Sequence, residues 1–118
     1  MTRPDIIVNW SFNSLSPEEG AKQVARFGQH SGASFVTPLT HAGYADVPVS
    51  WFFCTQDNCV TPAMQQASID AIEESKRATG REAKVDVTKV ECDHVPIFSA
   101  LDELVKWVQG LAEKEEKE

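Results

Sequence analysis

The stretch Val47-Pro48-Val49-Ser50-Trp51-Phe52-Phe53-Cys54 decides the fold. It is a continuous apolar run, not an alternating one. An alternating run hides one face of a sheet; a continuous run hides both, as in a parallel sheet with helices on each side. Downstream, Thr61-Pro62 opens a helix, with Met64, Ala67, Ser68, Ala71 and Ile72 at helical spacing and Gly80 at its end. Val85 to Cys92 alternates moderately and reads as a second strand. Ser99, with Asp102 three residues on, starts a last helix whose buried stripe is expected to be Leu101, Leu104, Val105, Val108 and Leu111. The order strand–helix–strand–helix leaves room for a right-handed crossover, so the two strands are expected to be parallel.

Upstream the pattern is weaker. Residues 5–12, Asp5-Ile6-Ile7-Val8-Asn9-Trp10-Ser11-Phe12, are β-rich and read as a strand or an extended arm. Ser16-Pro17-Glu18-Glu19 starts a helix: Ser16 caps, Pro17 suits the first helical position and Glu19 closes a capping box. Ala21, Val24, Ala25 and Gly28 make its narrow face, and it is expected to fade between Gly28 and Gly32. Residues 33–46 contain Thr37-Pro38 and Gly43 and have no clean period, so they read as a loop or a broken second helix. Residues 113–118, Glu-Lys-Glu-Glu-Lys-Glu, read as a solvated, fraying helix end.

The chain has 118 residues, enough for one domain at ~100–200 residues each. Apolar residues make up 42% and charged residues 25%, so a core is affordable without an extreme composition. The net charge of −7 repels a phosphate backbone and argues against nucleic acid as a partner. No apolar run approaches ~18 residues, so no membrane span is expected. Met1-Thr2-Arg3-Pro4-Asp5 is not followed by the apolar core of a signal peptide. Three cysteines, an odd count, argue against a disulfide framework and fit a reducing, cytoplasmic setting.

In open parallel sheets reactive groups gather beyond the carboxyl ends of the strands. The first strand delivers Cys54-Thr55-Gln56-Asp57-Asn58 there, and the second Glu91-Cys92-Asp93-His94-Val95-Pro96. Asp57 and His94 are therefore expected to meet, within ~3.5 Å, across the top of the sheet. A carboxylate on an imidazole fixes its tautomer and stabilises the imidazolium, which makes a general base. Cys54, Cys59, Cys92 and His94 do not have the spacing of a zinc knuckle, so no metal and no cofactor are expected. Cys92, at a strand end, reads as packing before it reads as a thiol nucleophile. Trp10, Phe12, Phe27, Phe35 and Tyr44 read as core before ligand cage.

These stretches, in this order, resemble the C-terminal part of the α/β-hydrolase superfamily, in particular small esterase-like members of the salicylate-binding and methyl-esterase type. Ser16-Pro17-Glu18-Glu19-Gly20-Ala21 resembles the cap helix of that family. Ser34-Phe35-Val36-Thr37-Pro38-Leu39-Thr40-His41-Ala42 resembles the segment from cap to core. Val47 to Asp57 resembles the seventh core strand with the triad acid after it, and Asp93-His94-Val95-Pro96 the histidine loop. The resemblance implies a truncated three-layer α/β fragment, with a short parallel sheet and a helical cap segment. Residues 1–46 would be arm and cap, 47–112 a βαβα core and 113–118 a charged tail. It implies Asp57 as triad acid, His94 as triad base and Asp93 as the acidic neighbour of the histidine. It places the cap over His94 as the wall of an apolar pocket, with His41, Phe35, Tyr44 and Trp10 as the substrate-binding candidates.

The same resemblance exposes a gap. Acyl transfer on this fold needs a serine on a G-x-S-x-G elbow. The nearest match, Gly32-Ala33-Ser34-Phe35-Val36, ends in valine and follows no apolar strand. An acid–base pair without a nucleophile points to proton transfer on a small apolar or ester-like molecule: cyclisation, isomerisation or dehydration, with secondary metabolism a natural setting. Two alternatives stand beside it. One is a serine esterase whose nucleophile is lost or lies on another chain. The other is a non-catalytic module that binds an apolar ligand. The open edge of the Val47–Cys54 strand further implies a homodimer, through paired edge strands or an exchanged 5–12 arm.

Overall fold

The computed structural model describes residues 3–115. At its centre β1 (Ser50–Cys54) and β2 (Asp86–Val90) form a parallel pair, with Ser50 opposite Asp86 and Cys54 opposite Val90. Between them runs α4 (Pro62–Ala78). Thr61 caps it by accepting the Met64 N–H at 3.4 Å. Gly80 ends it at φ +72°, a conformation that side chains with a Cβ resist. The last helix, α6 (Leu101–Glu115), covers the other side of the sheet.

The continuous apolar run is explained by two covered faces. Phe53 and Val85 are buried with Ile69 of α4, and Trp51, Val87 and Ile72 pack around them. On the opposite face Cys54 and Cys92 are buried with Ala100, joined by Phe52 and Val90. There Phe52 meets Trp107 of α6 edge-on, with ring centroids 5.3 Å apart. The core is thus helix, sheet, helix: a small three-layer α/β unit.

Four expectations need correction. Residues 5–12 are neither strand nor arm but lie almost wholly in helix α1 (Pro4–Ser11), with only Phe12 beyond its end. Pro4 and Asp5 suit its first turn, and packing overrides the β preference of Ile6, Ile7 and Val8. Helix α2 (Pro17–Val24) lies against α1 at Gly20, where a Cβ would come within 2.7 Å of Val8 Cγ1. Ser16 caps α2 through the Glu19 N–H at 3.2 Å, but the helix stops at Val24, short of Gly28.

Residues 33–46 are a broken segment: a short α3 (Ala33–Val36) and a single 3-10 turn (Gly43–Ala45). Phe35 is 78% exposed, and Trp10, Phe27 and Tyr44 are exposed too, so of the five aromatics read as core only Phe12 is buried. Phe12 holds the first helices to the core, between Phe27 at 5.7 Å and Phe98 at 5.9 Å.

The end of the chain also differs. Pro96–Ser99 is a separate turn of helix, α5, broken from α6 at Ala100. On α6 it is Leu104, Trp107 and Leu111 that face inward, whereas Leu101, Val105 and Val108 are about half exposed. A sheet two strands wide covers only part of the apolar circumference of that helix. Residues 116–118 of the charged tail lie outside the described residues. Among the described residues no helix is long and apolar enough to cross a membrane.

Candidate acid–base site

Asp57 and His94 meet at the carboxyl ends of the two strands. Asp57 is only 4% exposed, and Oδ1 accepts the N–H groups of Cys59 at 2.8 Å and Val60 at 2.9 Å. Those two donors fix the carboxylate plane and leave Oδ2 free for His94 Nδ1, 2.9 Å away. The carboxylate accepts here, so Nδ1 is the donor and Nε2 is the ring nitrogen left for a bound molecule. The imidazole side chain is 35% exposed, so the pair is a buried acceptor behind a reachable ring.

Both loops are tied down from below and from above. Gln56 N–H donates to the Cys92 carbonyl at 3.1 Å, which locks the loops to each other. Asp93 has no exposed surface. Its Oδ1 accepts the Val95 N–H at 3.0 Å and the Ser99 hydroxyl at 2.7 Å; its Oδ2 accepts the Ser14 N–H at 3.0 Å. Asn13 Nδ2 donates to the Gln56 carbonyl at 2.9 Å, and Asn58 Nδ2 to the Asn9 carbonyl at 3.2 Å. The end of α1 and the turn after it therefore clamp the loops that carry the pair.

Gln65 does related work that the sequence reading missed. Its buried carboxamide accepts the Cys54 N–H at 3.0 Å and donates to the carbonyls of Cys54 and Val60, both at 2.9 Å. It fixes the end of β1 and the loop that follows. A glutamine on a helix face otherwise turned to a strand was the available signal.

The remaining candidates fall elsewhere. His41 Nε2 contacts Asp46 Oδ2 at 2.5 Å. Asp46, which Arg81 also contacts, stands before β1, so His41 sits at the amino-terminal edge, away from His94. The His41 contact lowers the Asp46 carboxyl below its ordinary value. Tyr44 lies in the 3-10 turn two residues before Asp46, and Phe35 stacks on His30 in the exposed segment, with centroids 4.8 Å apart. Ser34 bonds locally to His30 and to the Ser31 carbonyl. Trp10 lies on the clamping helix α1 and is exposed. An apolar cleft of about 500 Å³ opens between α1 and α2, walled by Val8, Phe12, Leu15, Pro17 and Ala21, and none of the four binding candidates lines it. A larger polar cleft of about 660 Å³ lies at the amino-terminal edge, with Asp46, Lys76, Arg81 and Asp86. The cap-like region is thus split: α1 and the turn after it reach the carboxyl edge, while residues 41–46 reach the other.

The cysteines are buried or half-buried free thiols. Burial pushes the Cys54 thiol up to about 12, with a further push from the adjoining Cys92 thiol, and burial raises Cys92 as well. Both stay protonated and act as packing, not as nucleophiles. Among the described residues no cluster of three or more His, Cys, Asp or Glu side chains could hold a metal ion.

Over 92 residues, 78% of its length, the chain is 42% identical to the protein called Probable hydrolase R7 of Phoma sp. (strain ATCC 20986 / MF5453). The match takes in 36% of that protein, so this chain spans about a third of the relative. No family model and no solved structure matches.

Proposed function

We propose that His94, oriented by Asp57, is a general base that moves a proton on a small apolar or ester-like molecule. One observation carries the reading: a nearly buried, doubly bonded carboxylate holds a reachable imidazole at 2.9 Å. Nε2 takes a proton from one atom of the bound molecule, Asp57 stabilises the resulting imidazolium, and the proton returns to a second atom. Cyclisation, isomerisation and dehydration all fit that cycle and none needs a serine. In this reading the chain is α/β-hydrolase-like. The parallel strands, the acid after β1 and the histidine after β2 support it, since that fold orders its triad acid before histidine.

A second reading is hydrolysis, with a nucleophile supplied by another chain. The identity to a protein named as a hydrolase favours it. Turnover by the pure chain separates the two, and a fluorophosphonate probe checks that no serine of this chain takes part. No label on the pure chain, together with turnover lost in His94→Ala and Asp57→Asn, supports proton transfer. A labelled serine, or turnover that survives His94→Ala, overturns it.

A further inference from the structure

We propose that the open edge of β1 and the apolar stripe of α6 form one surface that pairs with a second copy of this chain across a two-fold axis. The backbone decides which groups are open. In the parallel ladder Asp86 N–H donates to the Val49 carbonyl at 3.0 Å, and Thr55 N–H to the Val90 carbonyl at 2.9 Å. That alternation turns the backbone groups of Trp51 and Phe53 toward β2 and those of Ser50, Phe52 and Cys54 away from it. Gln65 occupies both groups of Cys54. Among the described residues no hydrogen bond of any kind beyond the ladder reaches Ser50 or Phe52.

This pattern is complementary to itself. An isologous pair of edge strands is antiparallel. Centred on Trp51, it sets Ser50 of each copy opposite Phe52 of the other and makes four backbone hydrogen bonds from the open donors and acceptors. The next outward-facing position sets Cys54 opposite Pro48. Cys54 is already satisfied by Gln65, and Pro48 has no N–H to offer. Every donor along the edge then has a partner, which a strand of unrelated sequence would not ensure.

The helix layer fits the same axis. Lys114 reaches Asp86 on β2 at 2.9 Å, and Trp107 rests on Phe52 of β1. Followed around α6 from Lys114 through Trp107 and Leu104, the surface turns away from β2, and Leu101, Val105 and Val108 lie furthest round. In the proposed pair this half-exposed stripe is set over the open edge of β1. A two-fold axis normal to the sheet puts both α6 helices on one face, antiparallel, with their stripes in contact. The result is a four-stranded sheet, β2-β1-β1-β2, under a helix pair, and the half-exposed apolar residues are covered.

Light scattering and sedimentation equilibrium on the full chain at micromolar concentration test this, with a mass of twice 13.1 kDa expected. Ser50→Pro removes an N–H that faces only the open edge, and Val105→Glu places a charge in the stripe. Each is expected to weaken the dimer at least about tenfold with the circular dichroism spectrum unchanged. Amide exchange on the unmodified chain gives a readout that does not depend on the variants: the Ser50 and Phe52 amides should slow as concentration rises. A monomer throughout, a dimer indifferent to both variants, a larger aggregate, or rapid exchange at Ser50 and Phe52 at high concentration each overturns the proposal. None of these outcomes bears on His94.

Discussion

Asp93 accepts the Ser14 N–H at 3.0 Å, a bond that joins the histidine loop to the turn between α1 and α2 across 79 residues of sequence. The same carboxylate also holds Val95 and Ser99, so three segments converge on one buried charge. Its neighbour His94 stands on the loop that this junction anchors. Asp93→Asn keeps the shape but weakens these bonds and puts an NH2 donor among three donors. A loss of about 2–3 kcal/mol of stability is expected in urea unfolding. A variant as stable as the parent chain would show that Asp93 does not carry the junction.

Asp57→Asn tests the pair itself. The amide oxygen can still accept from Cys59 and Val60, which leaves Nδ2 to donate toward His94 and drives the imidazole to the other tautomer. Nitrogen NMR of the His94 ring is expected to show the proton on Nδ1 in the parent chain and on Nε2 in the variant. Turnover of any substrate found is expected to fall roughly 10²–10⁴-fold. An unchanged tautomer would mean that Asp57 does not orient the ring.

The core and the pair were legible because both are written locally. A continuous apolar run, a Thr-Pro helix start and a closing glycine define β1 and α4 without reference to the rest of the chain. Once two parallel strands were in hand, the acid after one and the histidine after the other followed from topology. The first 46 residues were not legible in the same way. Ile6, Ile7 and Val8 favour a strand by propensity, while the helix packs against α2 at Gly20, a contact remote from them in sequence. The exposure of Leu101, Val105 and Val108 was hidden for a different reason: helical spacing shows which residues share a face, not how wide a sheet lies beneath them. The resemblance places His41 among the substrate-binding candidates, and in the structure His41 contacts Asp46, ahead of β1.

Gln65→Leu is expected to cost about 1–3 kcal/mol or more. The substitution preserves helix propensity and bulk but removes the acceptor for the Cys54 N–H and the donor to the Cys54 and Val60 carbonyls. Those groups sit where water has little access. Urea unfolding reads the loss, and faster exchange of the Cys54 amide locates it. If stability is unchanged, the carboxamide bridge is dispensable and the end of β1 is held by the ladder alone.

Alkaline sensitivity follows from the buried thiols. Cys54 has an ordinary value of 9.0 and stands near 12 in the folded chain, because burial, and after it the Cys92 thiol, disfavour the thiolate. Above 9.0 the unfolded chain releases this proton while the folded chain retains it. The folded state then binds more protons than the unfolded state, so stability falls as pH rises, and the fall continues until the folded thiol itself ionises near 12. Lysine and tyrosine titrate in the same window, so the parent chain alone is not decisive. The measurement is the difference between the parent chain and Cys54→Ala in urea midpoint as pH climbs through that window. Cys54→Ala starts less stable, because it leaves a small cavity beside Cys92 and Ala100, and it is expected to lose stability less steeply. Parallel curves would mean that the Cys54 thiol is no harder to ionise in the folded chain than in the unfolded one. Thiol labelling gives an independent check at neutral pH, where the half-buried Cys59 is expected to react first and Cys54 and Cys92 only on unfolding.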